Sequence, residues 1–253
     1  MTPPPPATVI LSPHFDDAVL SLAGLMPQLP GPVMVVTVYG GEPGSHNPVS
    51  WWDSVCGFST PREAYRARRT EDERACELLG VGSIALGHPD GPYGERTELT
   101  DIDVFLAELS PETTLLIPVA TNQKDHQKVR DRALAVTEKL GRPLPLVYAD
   151  LPYTGHLDEW GSPEADDALS RSHLYGLAYQ DLTRGHELRP AHDLTLTDDQ
   201  WALKREAVQC YGSQLAPLAA DHGMVLARTG PLRAERVWSM KPVAGTGEDT
   251  GTG

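Results

Sequence analysis

The stretch "TVILSPHFDDAVLSLAGLMPQL", Thr8 to Leu29, decides the fold. A short β-branched and aliphatic run stops at Pro13 and releases a histidine and two adjacent aspartates. Apolar residues then resume at helical spacing, with an aspartate available as N-cap. The order is strand, loop, helix. "GPVMVVTVYGG" follows, a continuous apolar run bounded by glycines. Such a run marks a strand buried on both faces of a parallel sheet, so the chain opens with a βαβ unit.

The same alternation continues. "PREAYRARRTEDERACELLG" predicts a helix with Thr60 as N-cap, Pro61 in the first turn, Glu63 in capping-box position and Gly80 as terminator. "SIALG" is the third strand, "DIDVFLAEL" a helix, "TTLLIPVA" a strand, "DHQKVRDRALAVTEKLG" a helix closed by Gly141, and "PLVYAD" another strand. Strands and helices alternating in this way make an α/β fold: a mostly parallel sheet with helices on both faces. Residues 42–60 lack periodicity and are expected to form a long loop bordering the site. Residues 151–192 give only turn signals. "DDQWALKREAVQCYGSQ" restores a helix, with Asp198 or Asp199 near its start, and "RAERVWSM" is a last strand. Residues 1–242 are expected to form one domain, with 243–253 a disordered tail.

Composition narrows the function. Of the 253 residues, 40% are hydrophobic and 22% charged, as in ordinary globular proteins, and no window approaches a membrane span. The formal net charge of −14 argues against nucleic acid or an anionic membrane as partner and for a small molecule. Cys56, Cys76 and Cys210 are widely spaced and odd in number, which suits neither a disulfide framework nor a thiolate metal site. They are expected to be reduced and structural. "MTPPPPATVILS" has neither the basic nor the apolar region of a signal peptide, which points to the cytoplasm.

The chemistry is concentrated at two strand ends. His14, Asp16 and Asp17 follow the first strand, where a doubly wound sheet places its ligands, and imidazole and carboxylate suit zinc. A catalytic zinc takes three protein ligands and keeps a position open, so this cluster needs a distant third. "NQKDHQKV", Asn122 to Val129, offers an Asp-His pair just past another apolar strand. Composition and spacing do not distinguish Asp16 from Asp17 as ligand or base. The first strand-loop-helix lacks the GxGxxG of a Rossmann-type nucleotide-binding transferase and sets carboxylates where a phosphate would sit.

"SPHFDDAV" resembles the Pro-His-x-Asp-Asp motif of the zinc-dependent PIG-L/LmbE-like deacetylases, Rossmann-like enzymes that remove N-acyl groups from amino sugars. "RRTEDERACELLGV" is similar to that family's Arg-x-x-Glu helix, "LGHPDG" to its Leu-Gly-x-x-Asp-Gly segment, and "KREAVQCYGSQ" to its late Lys-x-x-Ala-x-x-x-Tyr-x-Ser-Gln helix. The resemblance runs in order from Thr8 to Trp238. It implies that His14, Asp17 and His126 ligate zinc or another divalent ion such as Fe2+, and that Asp16 is the general base. It also implies that Arg68 and Asp90 contact substrate hydroxyls.

One departure stands out. The family's His-x-Asp-His is here Gln123, Lys124, Asp125 and His126, so the histidine that stabilises the oxyanion is replaced by Gln123. Gln123 is itself a catalytic candidate, since its amide can donate a hydrogen bond to a tetrahedral oxyanion, but it supplies no proton. His46, His88, His156 and His222 are loop candidates for the vacated role, and the alternative is a non-catalytic descendant that only binds a small molecule. Trp51 and Trp52 are candidates for a sugar-stacking platform. The expected activity is hydrolysis of an N-acyl, chiefly N-acetyl, group on an amino sugar or a metabolite or glycoconjugate containing one.

Overall fold

The computed structural model describes residues 4–94 and 98–243; the tail segment "GTGEDTGTG" lies outside them. Among the described residues one sheet runs through the chain, built from β1 (Thr8–Ser12), β2 (Val33–Thr37), β3 (Gly82–Ala85), β4 (Thr114–Pro118), β5 (Leu146–Tyr148), β6 (His186–Thr195) and β7 (Ala234–Pro242). Their order is β3-β2-β1-β4-β5-β7-β6. The first five are parallel. β7 pairs antiparallel with both β5 and β6.

The helices are α1 (Asp17–Leu22), α2 (Trp51–Val55), α3 (Pro61–Leu78), α4 (Thr100–Glu108), α5 (Lys124–Lys139), α6 (Ala165–Arg171), α7 (Leu177–Thr183), α8 (Asp198–Val208) and α9 (Leu215–His222). The strand order explains their placement. From β1 the chain steps outward to β2 and β3, then crosses back to β4 and continues to β5 in the other direction. Right-handed crossovers put the helices of the two directions on opposite faces. Accordingly α1 and α3 both pack on α8, while α4 packs on α5. The reversal lies between β1 and β4, and a crevice opens there beyond the strands' carboxyl ends.

The core explains why these runs became strands. Val9, Ile10 and Leu11 of β1, Val35 and Val36 of β2, and Leu116 and Ile117 of β4 are all fully buried. Each such side chain contributes about 1.5–3 kcal/mol of hydrophobic stabilisation. The helix ends follow the sequence closely. The Thr60 side chain accepts from the Glu63 amide, and Gly80 and Gly141 carry the positive φ of 68° and 63° that ends α3 and α5. The Glu63 carboxylate accepts from Ser59 N–H at 3.3 Å rather than completing the box on Thr60.

Other elements differ from expectation. Residues 42–60 are not all loop: Ser50 accepts from the Asp53 amide at 3.0 Å and starts the single-turn α2. Residues 151–192 hold α6, α7 and the start of β6. β6, "HELRPAHDLT", lies at the sheet edge and carries Pro190 beside a bulge, the one setting in which a strand tolerates proline and charge. α8 starts at Asp198, with Asp198 and Asp199 in its first turn as expected, and Thr197 caps it through a reciprocal box with Gln200. Gln214, at the end of the late motif, leads directly into α9, which the sequence reading had not separated from the preceding turn. The three cysteines are free.

Candidate active site

The β1–α1 loop is built so that its two buried carboxylates line a cavity. Ser12 Oγ accepts from Ala18 N–H at 3.0 Å and donates to the His14 carbonyl at 2.7 Å, so a serine six residues upstream tethers the first turn of α1. Asp16 occupies the N-cap position but makes no side-chain cap bond, and its φ is 107°. A non-glycine residue there costs on the order of 1–3 kcal/mol and persists only where its surroundings fix it. Asp17 Oδ2 accepts from His14 N–H at 2.8 Å, which folds the histidine back over the helix start.

The β4–α5 loop meets it across the switch point. His126 Nε2 lies 3.2 Å from Asp17 Oδ2, and His14 Nδ1 lies 3.1 Å from the same oxygen. His14, Asp17 and His126 thus each present a ligand atom within 4.8 Å of the others. The outer nitrogens of both rings are held by carboxylates. His126 Nδ1 is 2.6 Å from Asp150 Oδ1, and Asp150 Oδ2 accepts from Ala120 and Thr121 N–H at 2.5 and 3.1 Å. His14 Nε2 is 3.2 Å from Asp90 Oδ1. Each imidazole is oriented by a carboxylate on one nitrogen and turns the other toward Asp17, so two neutral nitrogens and one carboxylate converge and the donor set fits a divalent cation.

Electrostatics separates the two aspartates. Burial alone raises Asp17, but the facing His126 and His14 override it and hold the carboxyl well below its usual range. Burial raises Asp16 too, and there the neighbouring Asp17 adds to the effect. His126 is disfavoured as a cation by burial, yet Asp17 and Asp150 lift it to about 9. Asp16 Oδ2 accepts from Gln214 Nε2 at 2.8 Å.

These groups line a cavity of about 450 Å³ that also contains Arg68, Asp90, Gln123, Tyr153 and Trp52. Arg68 is anchored by Asp53, whose other oxygen takes the Tyr93 hydroxyl. Asp90 is held in its turn by the Gly91 N–H, which donates to its Oδ1 at 2.7 Å. All seven residues expected from the sequence, His14, Asp16, Asp17, Arg68, Asp90, Gln123 and His126, therefore converge; six line the cavity directly and His126 stands behind Asp17.

The secondary candidates fare differently. Of His46, His88, His156 and His222, only His222 lines the cavity. His46 is exposed, His88 is buried 3.6 Å from Asp101, and His156 is hydrogen-bonded to His222 at 3.0 Å. The tryptophan pair is split. Trp51 is 72% exposed, whereas Trp52 turns into the cavity and donates to Gln214 at 3.3 Å. Asp53, Asp150, Tyr153 and Gln214 were not read as site residues. Gln214 and Asp150 left signals, the former in the Ser-Gln of the late motif and the latter as a carboxylate ending an apolar strand.

Known proteins resemble this chain in sequence and fold. The 2'-N-acetylparomamine deacetylase of Streptomyces fradiae is 28% identical over 179 residues, covering 60% of this chain and 59% of that enzyme. The chain thus aligns with less than two thirds of that relative's length. The A40926 pseudoaglycone deacetylase superposes with a TM-score of 0.69 at 26% identity, over 94% of this chain and 98% of that one. A deacetylase of the teicoplanin biosynthetic pathway, solved as a triple mutant, gives 0.71 at 23% identity over 94% and 99%, which establishes the shared fold. The profile of the PIG-L family, described as GlcNAc-PI de-N-acetylase, matches residues 9–137, just over half the length, and with the strand-end cluster inside that span the chain belongs to this family.

Proposed function

We propose that the protein is a metal-dependent N-deacetylase that releases acetate from an acetamido group on an amino sugar of the aminoglycoside type. The observation that carries this reading is the convergence of His14, Asp17 and His126 in one donor set, with Asp16 beside it on the cavity wall, in a PIG-L family chain. The sugar class follows the paromamine relative and is supported by the cavity's charge. Asp16, Asp17, Asp53, Asp90, Asp125 and Asp221 line it against the single guanidinium of Arg68, which favours a substrate bearing further ammonium groups.

His14, Asp17 and His126 would hold the ion, zinc in the first instance and Fe2+ as the alternative, since the same donors suit both. When bound, it supplies Lewis-acid polarisation of the acyl carbonyl and acidifies water for attack. Asp16, held by Gln214, takes a proton from the attacking water and returns it to the departing nitrogen as the C–N bond breaks. Its raised proton affinity suits both steps. Arg68, fixed by Asp53, presents a donor to a sugar hydroxyl, and Asp90 reaches the same rim while orienting His14.

The free cysteines suit a reducing compartment, and no helix of the described residues is long and apolar enough to cross a membrane. The cytoplasm is the compartment this reading assigns, and residues 1–242 the catalytic domain. The test is amine release from a panel of N-acetylated amino sugars, with 2'-N-acetylparomamine included, by protein of measured zinc or iron content. Turnover above the metal-free control is expected. Metal-loaded protein that releases no amine from any member supports the binding-only descendant instead.

A further inference from the structure

We infer that Tyr153 is a catalytic residue: its phenol O–H donates to the oxyanion of the tetrahedral intermediate, in place of the histidine replaced by Gln123. The inference rests on the deacetylase reading above.

Position is the first argument. Tyr153 lines the cavity together with Asp16 and Gln123. Its ring meets His126 edge-on at 5.8 Å between centroids and His222 at 5.3 Å on the other side, with interplanar angles of 83° and 86°. A ring gripped between two imidazoles has little rotamer freedom left, which is the preorganisation an oxyanion donor needs. The backbone beneath it is equally fixed. Leu151 N–H donates to Ser21 at 3.0 Å, Thr154 N–H to the Asp150 carbonyl at 2.8 Å, and the Thr154 hydroxyl meets that of Thr121 at 2.8 Å.

Availability is the second. Of the other tyrosines lining the cavity, Tyr93 donates to Asp53 and Tyr65 accepts from Arg69 at 3.3 Å, while Tyr39, whose buried hydroxyl has no partner among the described residues, lays its ring flat on His14 at 5.3 Å between centroids. The Tyr153 hydroxyl is bonded to no carboxylate or carbonyl among the described residues, and Gln123 lines the same cavity. Gln123 occupies the N-cap of α5 without making a cap bond, so its amide N–H is free to donate to the phenol oxygen and leave the phenolic hydrogen pointing onward. The remaining histidine of the cavity is not the donor. His222 reaches His126 only across the Tyr153 ring and is tied to His156.

The step balances without net proton loss from the tyrosine. Water oxygen bonds to the acyl carbon and one water proton passes to Asp16. Negative charge collects on the former carbonyl oxygen, where the Tyr153 O–H bond to it strengthens. The C–N bond then breaks, Asp16 protonates the nitrogen, and the remaining water proton passes from the nascent acetic acid to the amine, so that acetate and an ammonium leave.

Tyr153→Phe removes only the hydroxyl and keeps the ring between its two imidazoles. With 2'-N-acetylparomamine, kcat is expected to fall about 100- to 1,000-fold with KM within about threefold. Metal content and melting temperature should match the parent. Gln123→Ala should cost less alone and little more on top of Tyr153→Phe, since the amide acts through the phenol. Inhibition by methylphosphonate, a tetrahedral analogue of the acetyl intermediate, should weaken at least tenfold in Tyr153→Phe. An unchanged kcat, or a loss of metal that accounts for the drop, overturns the proposal. If the parent binds methylphosphonate yet deacetylates nothing, the deacetylase reading fails by itself, and equal methylphosphonate affinities in parent and Tyr153→Phe then overturn the donor role separately.

Discussion

Asp16 and Asp17 are adjacent and buried, but one faces two imidazoles and the other faces a glutamine amide and its own neighbour. That contrast predicts different losses from the same isosteric change. Asp17→Asn should lose metal, because a neutral amide is a poor ligand, and activity should fall with it. Asp16→Asn should keep its metal and lose about 100-fold or more in turnover, the scale of a removed base. Elemental analysis beside kcat decides; a metal-free Asp16→Asn with a metal-replete Asp17→Asn would reverse the roles. Asp150 belongs to the same scale. It fixes the His126 ring and the loop amides of Ala120 and Thr121 at once, so Asp150→Asn should weaken metal affinity about 10- to 100-fold, measured by competition with a chelator. His14 and His126 were legible because each follows an apolar strand directly. Asp150 and Tyr153 were not, because their meaning depends on a partner 24 residues away in one case and on ring packing in the other.

At the scale of elements, the late motif from Lys204 to Gln214 acts as a clasp. Tyr211 donates to Asp72 and Ser213 to Glu71, both on α3, while Gln214 continues to Asp16. At the other end Lys204 and Glu235 form an ion pair at 2.7 Å with both side chains fully buried. Glu235 also accepts from the Gly24 and Leu25 amides at 2.9 and 2.8 Å, joining β7 to the end of α1. Burial makes the Lys204 ammonium easier to deprotonate, and Glu235 opposes that. Glu235→Ala strands a buried ammonium and two amides, so a loss of about 3–5 kcal/mol is expected in urea unfolding. Lys204→Met should cost less, because Glu235 keeps its two amide donors. Equal losses would mean that the amides carry nothing. The sequence showed α8 through its periodicity but not this pair, since no local pattern marks a lysine for burial. β6 escaped for the opposite reason: an edge strand exposed along most of its length needs no apolar alternation, and its Pro190 reads as a break. The helix α2 escaped because a single turn is too short for any period to register; its only trace is Ser50 three residues before Asp53.

For the whole molecule, the alternation of strands and helices fixes where the chain reverses, and the reversal fixes where two loops from distant parts of the sequence meet. That is why residues 112 positions apart, His14 and His126, form one donor set, and why the switch point here holds carboxylates where a nucleotide-binding sheet holds a glycine-rich phosphate cradle. Charge is the second property of the whole. A chain of net charge −14 opens its cavity among six aspartates. Arg68 offsets Asp53, Lys128 lies 2.9 Å from Asp125, and a divalent cation would offset two more charges, which leaves the mouth negative. An acetamido sugar carrying free ammonium groups should therefore be steered inward, and salt should weaken that steering as the Debye length shrinks to about 8 Å near physiological ionic strength. The expected result is a kcat/KM for 2'-N-acetylparomamine that falls several-fold between about 20 and 300 mM NaCl, through KM rather than kcat, while that of a neutral N-acetylglucosamine glycoside stays flat. The paired substrates separate steering from a general salt effect on the fold, because unfolding or metal loss would depress both. Parallel salt profiles for the two would show that the cavity carboxylates are fully neutralised by their internal partners and play no part in selecting a cationic sugar.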